Sequence, residues 1–168
     1  MDSHESILAF LAEHKARHAG TDRQVDTYFR VPDGRLKIRQ GTVEACIVQY
    51  NRPDTDGMRH CEYRIEKYAP GDPALENIRT ILAATIGVLV TVVKIRDIHF
   101  IGNAKFHLDR VEDLGDFFEI EIIGGPDDTA ETLERSCADY LTALGIGPGD
   151  LIGESYSDMV LRQVQQYE

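Results

Sequence analysis

The chain has 168 residues, a mass of 18.9 kDa and a formal net charge of −11. That length suits one domain around one core, and a hydrophobic content of 42% suits a folded chain rather than a disordered one. A chain this acidic argues against general binding to nucleic acid or to an anionic membrane, both of which draw on basic surface.

In chain order, the stretch from Ser3 to about His18 reads as an amphipathic helix built on Ile7, Leu8, Phe10 and Leu11, with Gly20 as its stop. Residues 24–31, 36–40 and 43–50 read as strands rich in Val, Ile, Tyr and Phe, with turns at Pro32-Asp33-Gly34 and at Gly41. Residues 51–59 read as a loop and 61–68 as a further strand. A helix is expected over 73–86, opened by Pro73 and ended by Gly87. Strands follow at 88–96, 105–110 and 117–123. Thr129 caps a helix that runs to Leu144 and stops at Gly145, and a last short helix covers 157–165 with Ser157 as its cap.

Runs of strands broken by a few helices, without strict βαβ alternation, point to an α+β fold on an antiparallel sheet or barrel. No repeat, low-complexity tract or linker interrupts the sequence, so a single domain over residues 1–168 is expected. No apolar run approaches the roughly 18 residues of a membrane-spanning helix. The first residues lack the basic start and apolar core of a signal peptide, and Cys46, Cys61 and Cys137 show no CxxC spacing. Reduced thiols, a cytoplasmic location and no membrane partner are the expectation.

The strands carry charge in rows. Arg35, Lys37 and Arg39 share a face, since side chains on a strand repeat every second position. So do Lys94 and Arg96; Lys105, His107 and Asp109; Glu119 and Glu121; and Glu62, Arg64 and Glu66. A charged strand face is ordinarily a solvated one. The alternative is a barrel lined with charge, where guanidinium and ammonium groups hold phosphate oxygens and carboxylates hold a hard divalent cation. Strand pattern alone does not choose between them. The remaining motifs are weaker. His14 and His18 have a zinc-compatible spacing but no third ligand nearby, and an exposed pair is the simpler reading. Serine-hydrolase, P-loop and Rossmann signatures are absent from the sequence.

His107-Leu108-Asp109-Arg110-Val111-Glu112-Asp113-Leu114-Gly115-Asp116-Phe117-Phe118-Glu119-Ile120-Glu121 resembles the hLDxVxxLGxFxEIE block of the CYTH superfamily. That superfamily includes class IV adenylyl cyclases and thiamine triphosphatases, the triphosphate tunnel metalloenzymes. Four further blocks resemble it in the same order. These are Gln24-Val25-Asp26-Thr27-Tyr28-Phe29, Gly34-Arg35-Leu36-Lys37-Ile38-Arg39, Lys94-Ile95-Arg96, and Ser155-Tyr156-Ser157-Asp158, which is similar to the cyclase-like branch.

The resemblance implies an antiparallel β-barrel forming a tunnel, with helices packed outside. It also implies tunnel cations at Lys37, Arg39 and Arg96, joined by Lys94 on the same strand face, and Arg64 in an alternating Arg/Glu strand. Metal-side carboxylates at Asp109, Glu119 and Glu121, with Mg²⁺ or Mn²⁺, follow from it too. The implied ligand is ATP or another triphosphate or polyphosphate. The implied activity is conversion of ATP to cAMP and pyrophosphate, or hydrolysis of a triphosphate.

Two departures qualify this. No ExExK motif, the family's first-strand metal and phosphate motif, is found, and the first helix resembles the one that normally follows that strand. Asn51 stands where the family often has a lysine, with Arg52 the nearest cation. Measured against the family the first strand is missing. A late start, a member impaired in catalysis that still binds nucleotide or polyphosphate, and an assembly protein whose open edge pairs with a partner or a second copy (a homodimer) all remain open.

Overall fold

The computed structural model describes residues 3–51 and 63–166. The loop expected at 51–59 lies almost wholly outside them, as do Arg52, Cys61 and Glu62. Helix α1 (Ser3–Glu13) comes first and buries Ile7 and Leu11. It ends five residues before the expected boundary. Lys15 takes a φ of 52°, and the Ala16 N–H returns to the Leu11 carbonyl at 2.9 Å. Strand β1 (Arg17–Phe29) begins immediately after, so His18 lies on a strand and does not share a helix with His14. Gly20 is not a helix stop. With φ at 138° it sits where the β1 register shifts against β5, as a bulge glycine. The ladder that β1 makes along its whole length outweighs the local helical periodicity of its first residues.

Strand β2 (Arg35–Gly41) returns beside β1, followed by β3 (Ala45–Tyr50) and β4 (Tyr63–Tyr68). The turn between β2 and β3 takes two residues expected in the strand. Asp22, fully buried, accepts hydrogen bonds there from the Val43 N–H at 2.8 Å, the Glu44 N–H at 2.9 Å and the Thr42 hydroxyl at 3.0 Å. Gly41 permits this close approach. A Cβ there would stand 2.4 Å from the Glu44 carbonyl and 2.7 Å from both Asp22 carboxylate oxygens.

Helix α2 (Pro73–Thr85) is capped by Asp72, which accepts from the Ala74 N–H at 2.8 Å. Strands β5 (Val88–Ile101), β6 (Ala104–Val111) and β7 (Gly115–Ile122) form a second meander. Helix α3 (Ala130–Ala143) opens with a Thr129–Thr132 capping box, and α4 (Tyr156–Gln166) is the last element. The α4 cap is Ser155 rather than Ser157. Its hydroxyl accepts from the Asp158 N–H at 3.2 Å, and the Asp158 carboxylate takes the Ser155 N–H at 3.3 Å.

The seven strands form one antiparallel sheet in the order β4-β3-β2-β1-β5-β6-β7. The sheet is not closed into a barrel, contrary to the expected tunnel: β4 and β7 are its two edges and do not pair with each other. Residues opposed across the ladders point to the same side, so the registers assign two faces. The outer face is apolar. Phe29, Ile38 and Ala45 pack against Leu75 of α2, while Phe106, Leu108 and Ala104 pack against Ile7 and Leu11 of α1 and against Tyr140 and Leu144 of the α3 region. The inner face carries the charged rows. Helix α4 departs from the expectation of helices outside, since Tyr156, Val160 and Leu161 pack on inner-face Tyr28, Val90, Val92 and Val111. Its apolar stripe needs cover, and these four residues give it that cover at one end of a face a barrel would turn inward.

Candidate functional site: a cation cluster on the inner face

The inner face gathers residues from five strands. Asp26 of β1 stands opposite Arg39 of β2, Tyr28 opposite Lys37, and Gln24 opposite Lys94 of β5. Arg96 stands opposite Asp22 on one side and Asp109 of β6 on the other. His107 stands opposite Glu119 of β7, and Lys105 opposite Glu121.

Asp26 is the hub. Arg39 grips it with two parallel bonds of 2.8 Å, and Oδ2 also takes Lys94 Nζ at 2.9 Å and Lys37 Nζ at 3.0 Å. The Asp26 side chain is fully buried, and those of Lys94, Arg39 and Lys37 are 2%, 11% and 14% exposed. Burial opposes the Asp26 charge, yet Arg39, Lys37 and Lys94 hold its carboxyl well below the usual carboxylate range. Burial pushes Lys94 down; Asp26 pulls it back, while Arg39, Arg96 and Lys37 repel its charge, and the outcome is about 8. Glu44, on the β2–β3 turn, adds a second carboxylate, bonded to Arg39 at 3.1 Å and to Lys105 at 2.5 Å. Desolvation opposes its charge, but Lys105 and Arg39 bring it to about 2.

Lys37, Arg39, Lys94 and Lys105 thus bond to the two carboxylates Asp26 and Glu44, a local excess of positive charge that Asp22 nearby, and Asp109 and Glu119 around Arg96, balance across the face as a whole. A local excess of buried positive charge is offset either by neighbouring carboxylates or by a bound anion that competes with them.

A second network adjoins it. Arg96 binds both Asp109 oxygens and reaches Glu119 at 2.6 Å. The Tyr156 hydroxyl donates to Asp109 at 2.9 Å, tying α4 to the network. His107 Nδ1 meets Glu119 at 3.3 Å. Burial and the Arg96 charge push the His107 ring toward its neutral form, while Glu119, partly desolvated by its neighbours, is held well below the usual range by Arg96 and His107. At the α4 end, Arg35 donates to the Ser155 and Ser157 hydroxyls at 2.7 and 2.9 Å and to Asp158 at 2.9 Å.

Of the residues expected in the site, the structure brings together Lys37, Arg39, Lys94 and Arg96, with Asp109 and Glu119 beside them. Glu121 shares the face but is exposed. Arg64 does not join. The β4 register puts it opposite Gln49 on the other side of the sheet, where it donates to the Gln49 side chain at 3.2 Å. The hub Asp26, its neighbour Gln24, and Asp22 and Glu44 were missing from the expected site. Their signal was present as the alternation Asp22, Gln24, Asp26, Tyr28, a polar row at strand spacing.

A CYTH domain model matches residues 2–156, nearly the whole chain. The chain belongs to the CYTH domain family. Several solved structures share the fold of this CYTH chain. The PH1012 protein of Pyrococcus horikoshii OT3 is 24% identical with a TM-score of 0.75, over 92% of each chain. A conserved hypothetical protein of Pyrococcus furiosus is 21% identical with a TM-score of 0.74, also over 92% of each. A Vibrio parahaemolyticus protein described as a "putative adenylate cyclase" is 15% identical with a TM-score of 0.75, covering 95% of this chain and 92% of that one. Curated proteins gave no match.

CYTH enzymes typically use divalent metals. The CYTH carboxylates present here do not fit one as arranged. Asp109 is occupied by Arg96 and Tyr156, Glu119 by Arg96 and His107, and among the described residues no three His, Cys, Asp or Glu side chains come together as a cation cage. None of the helices among the described residues is long and apolar enough to cross a membrane.

Proposed function

We propose that this CYTH chain binds a triphosphate, ATP or another triphosphate or polyphosphate, on the inner face of its sheet. Lys37, Arg39, Lys94 and Arg96 hold the phosphate oxygens. The observation that carries this is the convergence of three buried cations from two strands on one carboxylate, Asp26. A polyanion competes with the carboxylates for these cations, and guanidinium groups suit its oxygens in particular. Family membership supports the same ligand class. The likeness to the Vibrio protein supports, as the reaction, conversion of ATP to cAMP and pyrophosphate, with triphosphate hydrolysis as its sibling. The engagement of Asp109 and Glu119 by cations favours a second reading, binding without turnover.

Calorimetric titration with tripolyphosphate and with ATP, each with and without Mg²⁺ or Mn²⁺, tests the binding. Micromolar affinity is expected, weakened about tenfold or more by Arg39→Ala or Arg96→Ala, in line with loss of a charge-assisted pair. Unchanged affinity in both variants rejects the site. Assays for cAMP, pyrophosphate and phosphate on the same samples separate cyclase, triphosphatase and binding protein.

A further inference from the structure

The two edges of the sheet are built differently. Edge β7 is guarded. A second copy of β7 set against it would bring Glu119 and Glu121 against like charge, and its Phe117 carbonyl already accepts a hydrogen bond from His4 Nε2 of α1 at 3.3 Å. Edge β4 has no such guard among the described residues. Its residues are exposed as far as Lys67, with Tyr63 at 53% and Ile65 at 41%. An edge of free backbone N–H and C=O groups, set among exposed apolar side chains, is a template for a further strand.

The side chains of β4 say which strand fits. By the ladder with β3, Tyr63, Ile65 and Lys67 lie on the inner face, and Arg64 and Glu66 lie on the outer one. Arg64 donates to the neutral Gln49 side chain, and among the described residues neither Arg64 nor Glu66 has an ion-pair partner. A second copy of β4 can be laid antiparallel to the first about a twofold axis at Ile65. Ile65 then meets Ile65, and Tyr63 meets the aliphatic stem and ammonium of Lys67. On the outer face Arg64 meets Glu66, and symmetry makes that pair twice. The strand is its own charge complement. Moving the axis to Arg64 or to Glu66 sets like charges directly opposite each other, so the pattern selects a register as well as a partner.

We propose that edge β4 joins two copies of this chain into one continuous sheet, antiparallel about a twofold axis at Ile65 and held in register by reciprocal Arg64–Glu66 pairs. The proposal is independent of what binds the inner face. Analytical ultracentrifugation of the full chain tests it. The wild type is expected to dimerise reversibly with micromolar affinity, and amide hydrogen exchange in β4 is expected to slow as the protein concentration rises. Arg64→Glu and Glu66→Arg each turn two attractions into two repulsions, and each should weaken the dimer about tenfold or more. The double variant rebuilds both pairs in reverse and should return to within about threefold of the wild type. Both positions are exposed, so circular dichroism of the variants should match the wild type.

A wild type that stays monomeric up to about 1 mM overturns the proposal. Slow β4 amide exchange in such a monomer would show that another part of the chain covers the edge. A dimer indifferent to both single variants uses a different surface, which equally overturns it. Single variants that weaken the dimer without rescue in the double variant would show that Arg64 and Glu66 do not meet, and the register falls.

Discussion

Lys94 keeps an ammonium group in a place that exposes 2% of its side chain, and Asp26 is what makes this tolerable. The balance is fine enough to leave its pKa at about 8, lowered first by burial and then by Arg39, Arg96 and Lys37. The sign follows. Below about 8 the residue is a cation and contributes to anion binding; above it the neutral amine does not. ATP is fully ionised by then, its last phosphate pKa lying near 6, so a pH effect above 8 belongs to the protein. ATP affinity is expected to fall with a slope approaching one logarithmic unit per pH unit as the pH rises through about 8. Lys94→Met should bind more weakly and show a flat profile over the same range. A wild-type profile that is equally flat would place the Lys94 proton elsewhere.

At the scale of elements, short polar anchors hold the charged rows in place. Ser155 closes the capping box of α4 and also receives Arg35. Ser155→Ala should cost about 1–2 kcal/mol, measured by urea unfolding, because it removes a cap and one partner of a half-buried arginine together. Gly41→Ala should cost about 1–3 kcal/mol by forcing the Asp22-anchored turn apart.

The same elements show how far the chain could be read in advance. The strand cores, α2 and α3 were legible because alternation, Pro73, Thr129, Gly87 and Gly145 are local signals. The α1–β1 boundary was not. Residues 14–18 continue a plausible helix, and only pairing with β5, about 80 residues away in sequence, makes Arg17 and His18 part of a strand. Missing the true start of β1 hid Asp22. The cations were legible as rows of like charge at period two, whereas Asp26 is a single acid in a mixed strand whose meaning depends on Lys37, Arg39 and Lys94 arriving from elsewhere. Arg64 shows the converse, since strand spacing defines a row but not the face it occupies until the neighbouring register is known.

At the scale of the molecule, the formal charge of −11 and the buried cation cluster oppose each other. An anionic ligand is repelled at long range and attracted at short range. Raising the salt from about 10 to about 150 mM shortens the Debye length from about 30 to about 8 Å, and this screens the acidic exterior far more than the buried cluster. The association rate for ATP, followed by stopped flow, is therefore expected to rise over that interval; a falling rate would mean that the exterior near the site is itself positive. The strand order has a consequence of another kind, for the order of events in folding. β1 to β4 form one meander and β5 to β7 another, and within each the paired strands are neighbours in sequence. They meet at the β1–β5 seam, where Asp26 and Lys94 join residues 68 apart in sequence. Closing that gap costs on the order of 4 kcal/mol in chain entropy before the ladder returns it. One meander carries Lys37 and Arg39 and the other Lys94 and Arg96, so neither owns the cluster. The cation cluster is complete only once the two meanders have met, and an anion bound at the proposed site would stitch the two halves of the chain together.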